Sequence, residues 1–222
     1  MVDISFLERT RAGYDRMAAN YADAFAGHLD DKPLDRAMLR AFADSVPAGW
    51  PVVDVGCGTG AATAILREYG AAVSGIDLSP NMIDQAHRLC PDIDFTVGSM
   101  TALPLPDESV GGVCAWYSII HVPDDALAGV FAEFRRVLIP GGVALAAFQV
   151  GDQPRHLTEA FGEHVDLVFE RRRPDSVAES LGAAGLPVYA QLVRAPDDDG
   201  VESTPQGYLT ARKPNRQQGV SP

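Results

Sequence analysis

Between residues 52 and 149 short apolar runs alternate with helix-forming runs, and this alternation constrains the fold more than any other feature of the chain. WPVVDVG is nearly continuous in apolar residues, 61–69 suits a helix, and AAVSGID is a second apolar run that ends in an acid. Ser79 and Pro80 supply an N-cap and a first-turn proline for a helix to about Leu89. IDFTV (93–97) and GGVCAWYSI (111–119) read as the third and fourth strands. Leu127, Val130, Phe131, Phe134, Val137 and Leu138 recur at helical spacing, which predicts an amphipathic helix over 124–138. Pro140, Gly141 and Gly142 then break the helix before the fifth strand, VALAAFQV. Strands that are apolar on both sides belong to a parallel sheet covered on both faces. LPVYAQLVRA (186–195) and QGYLTARK (206–213) are too close in sequence for a parallel return and are expected to form an antiparallel hairpin. The fold expected is α/β: a Rossmann-like, doubly wound, mostly parallel seven-stranded sheet with an antiparallel last strand and helices on both faces.

The flanks add helices. Residues 3 to about 26 and 33–45 look helical, and Tyr14 and Tyr21, seven positions apart, fall on one helix face. The segment 151–173 is irregular and polar with some helix or strand, 174–184 reads as a helix closed by Gly185, and 214–222 as a loose tail. A chain of 222 residues with 46% apolar content needs no staple to form a core.

Charge and cysteine usage limit the partners. With 18 basic against 30 acidic residues the net charge is −12, which repels a phosphate backbone and argues against nucleic acid. Cys57, Cys90 and Cys114 are odd in number and have no metal-like spacing, so no metal is expected and a reducing, cytoplasmic setting fits better than a disulfide framework. No apolar run reaches the roughly 20 residues of a membrane span, and the first residues lack the apolar stretch of a signal peptide.

The chemistry concentrates in Val52-Val53-Asp54-Val55-Gly56-Cys57-Gly58-Thr59-Gly60, a strand leading through a glycine-rich turn into a helix. Glycines there let a ligand approach the backbone and meet amide donors at a helix N-terminus. Asp77 follows Asp54 by 23 residues, at the tip of the next strand, where a carboxylate can accept ribose hydroxyls. Gly56-x-Gly58-x-x-Ala61 also satisfies the dinucleotide fingerprint, so a nicotinamide-dependent oxidoreductase is a rival reading. Asp54 separates the two, because a carboxylate beside this loop opposes a pyrophosphate and favours a cation.

VVDVGCGTG and GIDLSPNMI resemble the first two motifs of the class I S-adenosylmethionine-dependent methyltransferase family, small-molecule type. VGSMTALPLPDESVGGV, WYSIIHVP, LIPGG and YDRMAANY are similar to further family segments, with Ser99 and Ile139 replacing a common Asp and Lys. The resemblance implies S-adenosylmethionine as cofactor and S-adenosylhomocysteine as product. It implies that Asp54, Gly56, Cys57, Gly58 and Gly60 surround the amino acid part, Asp77 the ribose, and Leu78, Met82, Ser99 and Met100 the adenine. Tyr21 would meet the cofactor carboxylate. The domain map that follows is one methyltransferase domain over 1–213, with a helical lid (1–45), a cofactor-binding core (50–149), a variable substrate segment (150–173), a C-terminal helix and hairpin (174–213), and a tail.

For the acceptor side, His121 follows the fourth strand at the ligand-bearing edge of the sheet and is the candidate base, with hydrogen bonding to a loop carbonyl as the alternative. Tyr14, Trp116, Tyr117, Arg155 and His156 are candidate substrate residues. Strand alternation predicts that at most one of Trp116 and Tyr117 faces a pocket, and Tyr14 and Tyr21 read equally well as core aromatics. The acceptor expected is a small molecule methylated at O, N or C by a monomer or homodimer. A cofactor-binding protein of the same fold with no methylating role remains the second reading.

Overall fold

In the computed structural model residues 5–198 and 200–216 are described. Two helices, α1 (Ser5–Ala24) and α2 (Pro33–Ser45), precede β1 (Val52–Val55), α3 (Ala61–Glu68), β2 (Val73–Asp77), α4 (Pro80–Leu89) and β3 (Phe95–Val97). There follow β4 (Val110–Trp116), a 3-10 turn (Ile119–His121), α5 (Asp124–Val137), β5 (Leu138–Gln149), a hairpin of β6 (Arg155–Ala160) and β7 (Glu163–Phe169), α6 (Pro174–Ala183), β8 (Val188–Arg194) and β9 (Gln206–Arg212). Seven strands form one sheet in the order β3-β2-β1-β4-β5-β9-β8. The first five pair in parallel, and β9 is antiparallel to both β5 and β8. This is the Rossmann-like sheet that the alternation predicts.

Every residue of β1 is buried, as are the first six of β4. Their side chains divide between two faces: Val53, Val55, Val113 and Ala115 pack with α5 and α6, while Val52 and Cys114 pack with α2 and α3. Asp54 therefore points toward the α2–α3 face. Ser79 caps α4 as its sequence predicts, its Oγ accepting from the Met82 amide at 3.1 Å.

Two expectations need correction. The fifth strand does not wait for the prolyl-glycyl turn but starts at Leu138, with a register shift between Val110 and Gly112 on its neighbour absorbing the irregularity. The segment expected to be irregular with some helix or strand is mostly a regular β6–β7 hairpin, closed by Phe161 (φ 51°) and Gly162 (φ 78°). Two positive φ values are what a two-residue hairpin turn requires. A phenylalanine in the position usually held by Asn, Asp or Gly conceals that turn in the sequence.

This hairpin packs against α1. Gly13 lets the helix lie against β7, since a Cβ there would fall 2.9 Å from Leu167 Cδ2. Arg16 and Asn20 donate to the carbonyls of His164 and Phe161, each at 3.0 Å. On its other side Asp15 accepts from the Ser79 hydroxyl at 2.6 Å and ties α1 to the start of α4. At the other end, Lys213 donates to the Leu138 carbonyl at 2.7 Å and Arg216 pairs with Glu108, so the chain is held to residue 216. The remainder of the expected tail, 217–222, lies outside the described residues, as do 3 and 4 of the first helix.

Candidate active site

The strand order reverses between β1 and β4, and such a reversal opens a crevice at the strands' carboxyl ends. A cavity of about 890 Å³ occupies it, bounded by α1, the hairpin and the loops after β1, β2 and β4. The glycine turn forms its floor. The Gly56 and Cys57 amides both donate to the Ile76 carbonyl, at 2.7 and 3.1 Å, which binds the turn to β2. Gly56 has φ +72°, and a Cβ there would lie 2.3 Å from Ser118 Cβ. At Gly58 a Cβ would meet nothing within 4 Å. Gly56, Cys57 and Gly58 line the cavity and Gly60 does not. Gly60 instead starts α3 in a left-handed conformation, with Phe95 Cζ 2.9 Å from where its Cβ would be, so its glycine serves packing.

The two aspartates are handled differently. Asp77 accepts from the Gly58 and Ser79 amides, both at 2.8 Å, and burial still holds its carboxyl above the ordinary range. Asp54 is 1% exposed and receives one hydrogen bond, from Thr63 Oγ1 to Oδ2 at 2.6 Å. Its Oδ1 has no hydrogen-bond partner; the nearby Cys114 thiol is a weak donor. Burial pushes the Asp54 carboxyl up to about 7. Among the described residues only three buried side-chain polar atoms lack a partner, and two of them, Asp54 Oδ1 and Trp116 Nε1, belong to residues on the cavity wall. An orphaned buried acceptor costs about 1–3 kcal/mol, and a weak thiol donor offsets little of that.

Beneath α1 and the hairpin, His121 Nδ1 lies 2.9 Å from the Val168 carbonyl of β7, and Nε2 lies 2.7 Å from the Tyr14 hydroxyl. A carbonyl only accepts, so Nδ1 carries the proton, and the Tyr14 hydroxyl donates to Nε2. Burial lowers the imidazole to about 4, so it is neutral at neutral pH. Tyr14 and Tyr21 meet edge to face with centroids 6.0 Å apart, as their shared helix face predicts. Burial, with Asp77 contributing, pushes Tyr21 up to about 12.

Tyr14, Tyr21, Asp54, Asp77, Leu78, Ser99, Met100, Trp116, Tyr117, His121 and Arg155 all border the cavity. Trp116 and Tyr117 both do so, against the expectation of one, because Tyr117 has φ +52° and the alternation of the strand ends there. Met82 is fully buried off the wall, and His156 points away, 2.6 Å from the Asp166 carboxylate on the hairpin's exposed side. Thr63, Asp15 and the Val168 carbonyl carry no motif that would have revealed them. Another unforeseen feature is a buried network at the β9–β8 edge of the sheet, whose Asp35, Tyr117 and Glu202 also border the cavity. Arg194 donates to Asp35 at 2.9 Å and to Glu202 at 2.6 Å, Tyr208 donates to Asp35 at 2.8 Å, and Tyr117 therefore donates to Tyr208 at 2.9 Å.

Sheet order, crevice and glycine turn together define a Rossmann-like methyltransferase fold. Comparison with known proteins agrees. Residues 52–142 match the model of a methyltransferase domain, and the chain belongs to the class I S-adenosylmethionine-dependent methyltransferase family. It is 34% identical over 136 residues to demethylmenaquinone methyltransferase of Tropheryma whipplei, covering 60% of this chain and 55% of that one. To 2-methyl-6-phytyl-1,4-hydroquinone methyltransferase of a Synechocystis strain it is 36% identical over 194 residues, covering 76% and 60%. The chain thus spans little more than half the length of these curated relatives. Among solved structures, the DhpI-SAH complex shares 25% identity at a TM-score of 0.75, covering 97% of this chain and all of the other. No helix among the described residues is long and apolar enough to cross a membrane.

Proposed function

We propose that this protein binds S-adenosylmethionine in the crevice and transfers its methyl group to a small-molecule acceptor. The observation that carries this reading is the buried, half-satisfied Asp54 carboxylate beside a bare glycine turn, an arrangement suited to a cation without phosphate. In this reading the Gly56–Gly58 backbone and Asp54 receive the amino acid part of the cofactor, with Tyr21 reaching its carboxylate. Asp77 accepts from the ribose, its oxygens already oriented by two amides. Leu78, Ser99 and Met100 border the adenine. Gly60 and Met82 support the site without touching it.

When bound, the cofactor supplies a methyl group already activated by positive sulfur. The protein's task is then to align the acceptor and exclude water. Closure of α1 and the hairpin over the crevice suits that task. The net charge of −12 supports a small molecule over nucleic acid as acceptor, and the three free cysteines suit a cytoplasmic setting. We take the working unit to be a monomer or homodimer. A role without methyl transfer deserves one comparison, since the [4+2]-cyclase SpnF has the same fold at a TM-score of 0.65.

Calorimetry with S-adenosylhomocysteine and with NAD, followed by mass spectrometry of a metabolite panel incubated with S-adenosylmethionine, tests the proposal. We expect binding of the first ligand only, and one acceptor gaining one methyl. Failure to bind the nucleoside would remove the reading; binding with no methylated product would leave the non-methylating role.

A further inference from the structure

The position of His121 changes what it can do. Both its nitrogens are committed: Nδ1 donates to Val168 O, and the Nε2 lone pair takes the Tyr14 proton. No ring nitrogen is left for an acceptor to touch. The Tyr14 oxygen, in contrast, has given its only proton to His121 and keeps a lone pair, and Tyr14 borders the cavity. We propose that Tyr14 is the catalytic residue that meets the acceptor, taking a hydrogen bond from an acceptor O–H and passing its own proton to His121, which acts through it.

The inference rests on the methyl-transfer reading and balances as one displacement. The acceptor oxygen bonds to the methyl carbon while the carbon–sulfur bond breaks and its electron pair stays on sulfur. The acceptor hydroxyl proton moves to the Tyr14 oxygen as the Tyr14 proton moves to Nε2, leaving His121 protonated on both nitrogens. Positive charge is thereby transferred from sulfur to imidazole and none is created in the cavity. A buried imidazolium is costly by itself, and the simultaneous loss of the sulfonium charge offsets that cost.

The same geometry selects a class of acceptor. His121 is a weak base, held low by burial, and a weak base suits an acidic hydroxyl. The surrounding walls are aromatic: Phe169 lies 4.7 Å from the His121 ring centroid, and Phe25 and Phe161 each contact Tyr21, at 4.5 and 5.6 Å. Offset and edge-to-face contacts of this kind favour a flat ring. The acceptor class is therefore a phenol or enol. Because Val168 belongs to the hairpin and Tyr14 to α1, the relay exists only when α1 and the hairpin are docked together.

The chain is tested first without turnover. In the S-adenosylhomocysteine complex of the full chain, labelled with 15N-histidine, long-range proton–nitrogen spectra should show His121 protonated at Nδ1 alone. Tyr14→Phe should then move the Nε2 resonance downfield, toward a bare lone pair. An Nε2-protonated His121, or a spectrum indifferent to Tyr14→Phe, overturns the relay. In the acceptor panel, turnover should favour phenols and enols, and turnover confined to amines or aliphatic alcohols overturns the class. On the acceptor found, Tyr14→Phe and His121→Gln should each lower kcat by about 100-fold with little change in KM, and the double variant should be no slower than either. Effects that multiply would mean two independent roles and sink the proposal. Retained S-adenosylhomocysteine affinity and melting temperature show that the variants are folded, whereas a wild-type chain that fails to bind that ligand refutes the methyl-transfer reading and not the relay.

Discussion

Two buried charged groups border the cavity, one on β1 in the interior of the sheet and one at the β9–β8 edge, and only one of them is complete. Around Arg194 the groups close on one another: both Asp35 oxygens are occupied, one by the guanidinium and one by Tyr208, and Glu202 takes a second edge of the same guanidinium. Asp54 is equally buried but has one oxygen engaged and the other without a partner. Both carboxylates paid the desolvation cost of leaving water, and they recover it differently. The Arg194 group recovers it on folding, so it stabilises the arrangement of α2, β8 and β9. Asp54 cannot recover it until something positive enters the crevice.

The sharpest way to break this contrast is Arg194→Ala. It should strand Asp35 and cost about 3–5 kcal/mol, lowering the melting temperature by roughly 10 °C in a chain of this size, while the folded fraction keeps its affinity for S-adenosylhomocysteine. Should affinity fall with stability, the network would serve the cofactor as well as the fold. Asp54→Asn should do the reverse. We expect affinity for the cofactor to drop about 100-fold, near the low end for losing one partner of a buried charge pair, with the melting temperature of the free protein unchanged or higher. A third measurement uses pH. The ionised carboxylate is the form that receives a cation, and Asp54 titrates at about 7 in the free cavity. Affinity should therefore fall as pH drops below 7, by up to tenfold per unit, and level off above about 8. Calorimetry in buffers of different ionisation enthalpy should find proton release on binding at pH 6, and a flat profile in Asp54→Asn would assign it. The smallest effect is expected from Thr63→Val, which removes the hydroxyl donor to Asp54 Oδ2. The midpoint of that pH profile should move upward, and affinity at pH 7 should weaken by a factor of roughly 5, the worth of about 1 kcal/mol.

Much of the architecture was legible because it follows from local rules. The Ser79 cap and the left-handed glycines of the turn each depend on a few neighbouring residues, and the strands declare themselves by being apolar on both faces. The site was legible in proportion to how local it is. Asp54, Asp77, Gly56 and Gly58 lie at strand tips and in a turn, and all of them border the cavity. The misreadings arose where a side chain's direction depends on a distant element or an unusual backbone. Tyr117 turns toward the cavity through a positive φ that nothing in CAWYS announces, and the Phe161–Gly162 turn makes a hairpin of a segment that looked irregular. His156 sits one residue from Arg155 but on the other side of β6, a division invisible until that segment is known to be a strand.

Periodicity and side-chain chemistry by themselves determined the class of sheet, its antiparallel last strand, and the presence of two acids beside a glycine turn, since each of these acts over one strand or one helix turn. Only the tertiary structure decided which groups meet across the crevice. Tyr14 and His121 are 107 residues apart and Asp35 and Arg194 are 159 apart. No local rule links such positions. Their meeting is set by how α1 and the hairpin lie over the strand ends and how α2 lies against β8 and β9, and that depends on the packing of the whole core.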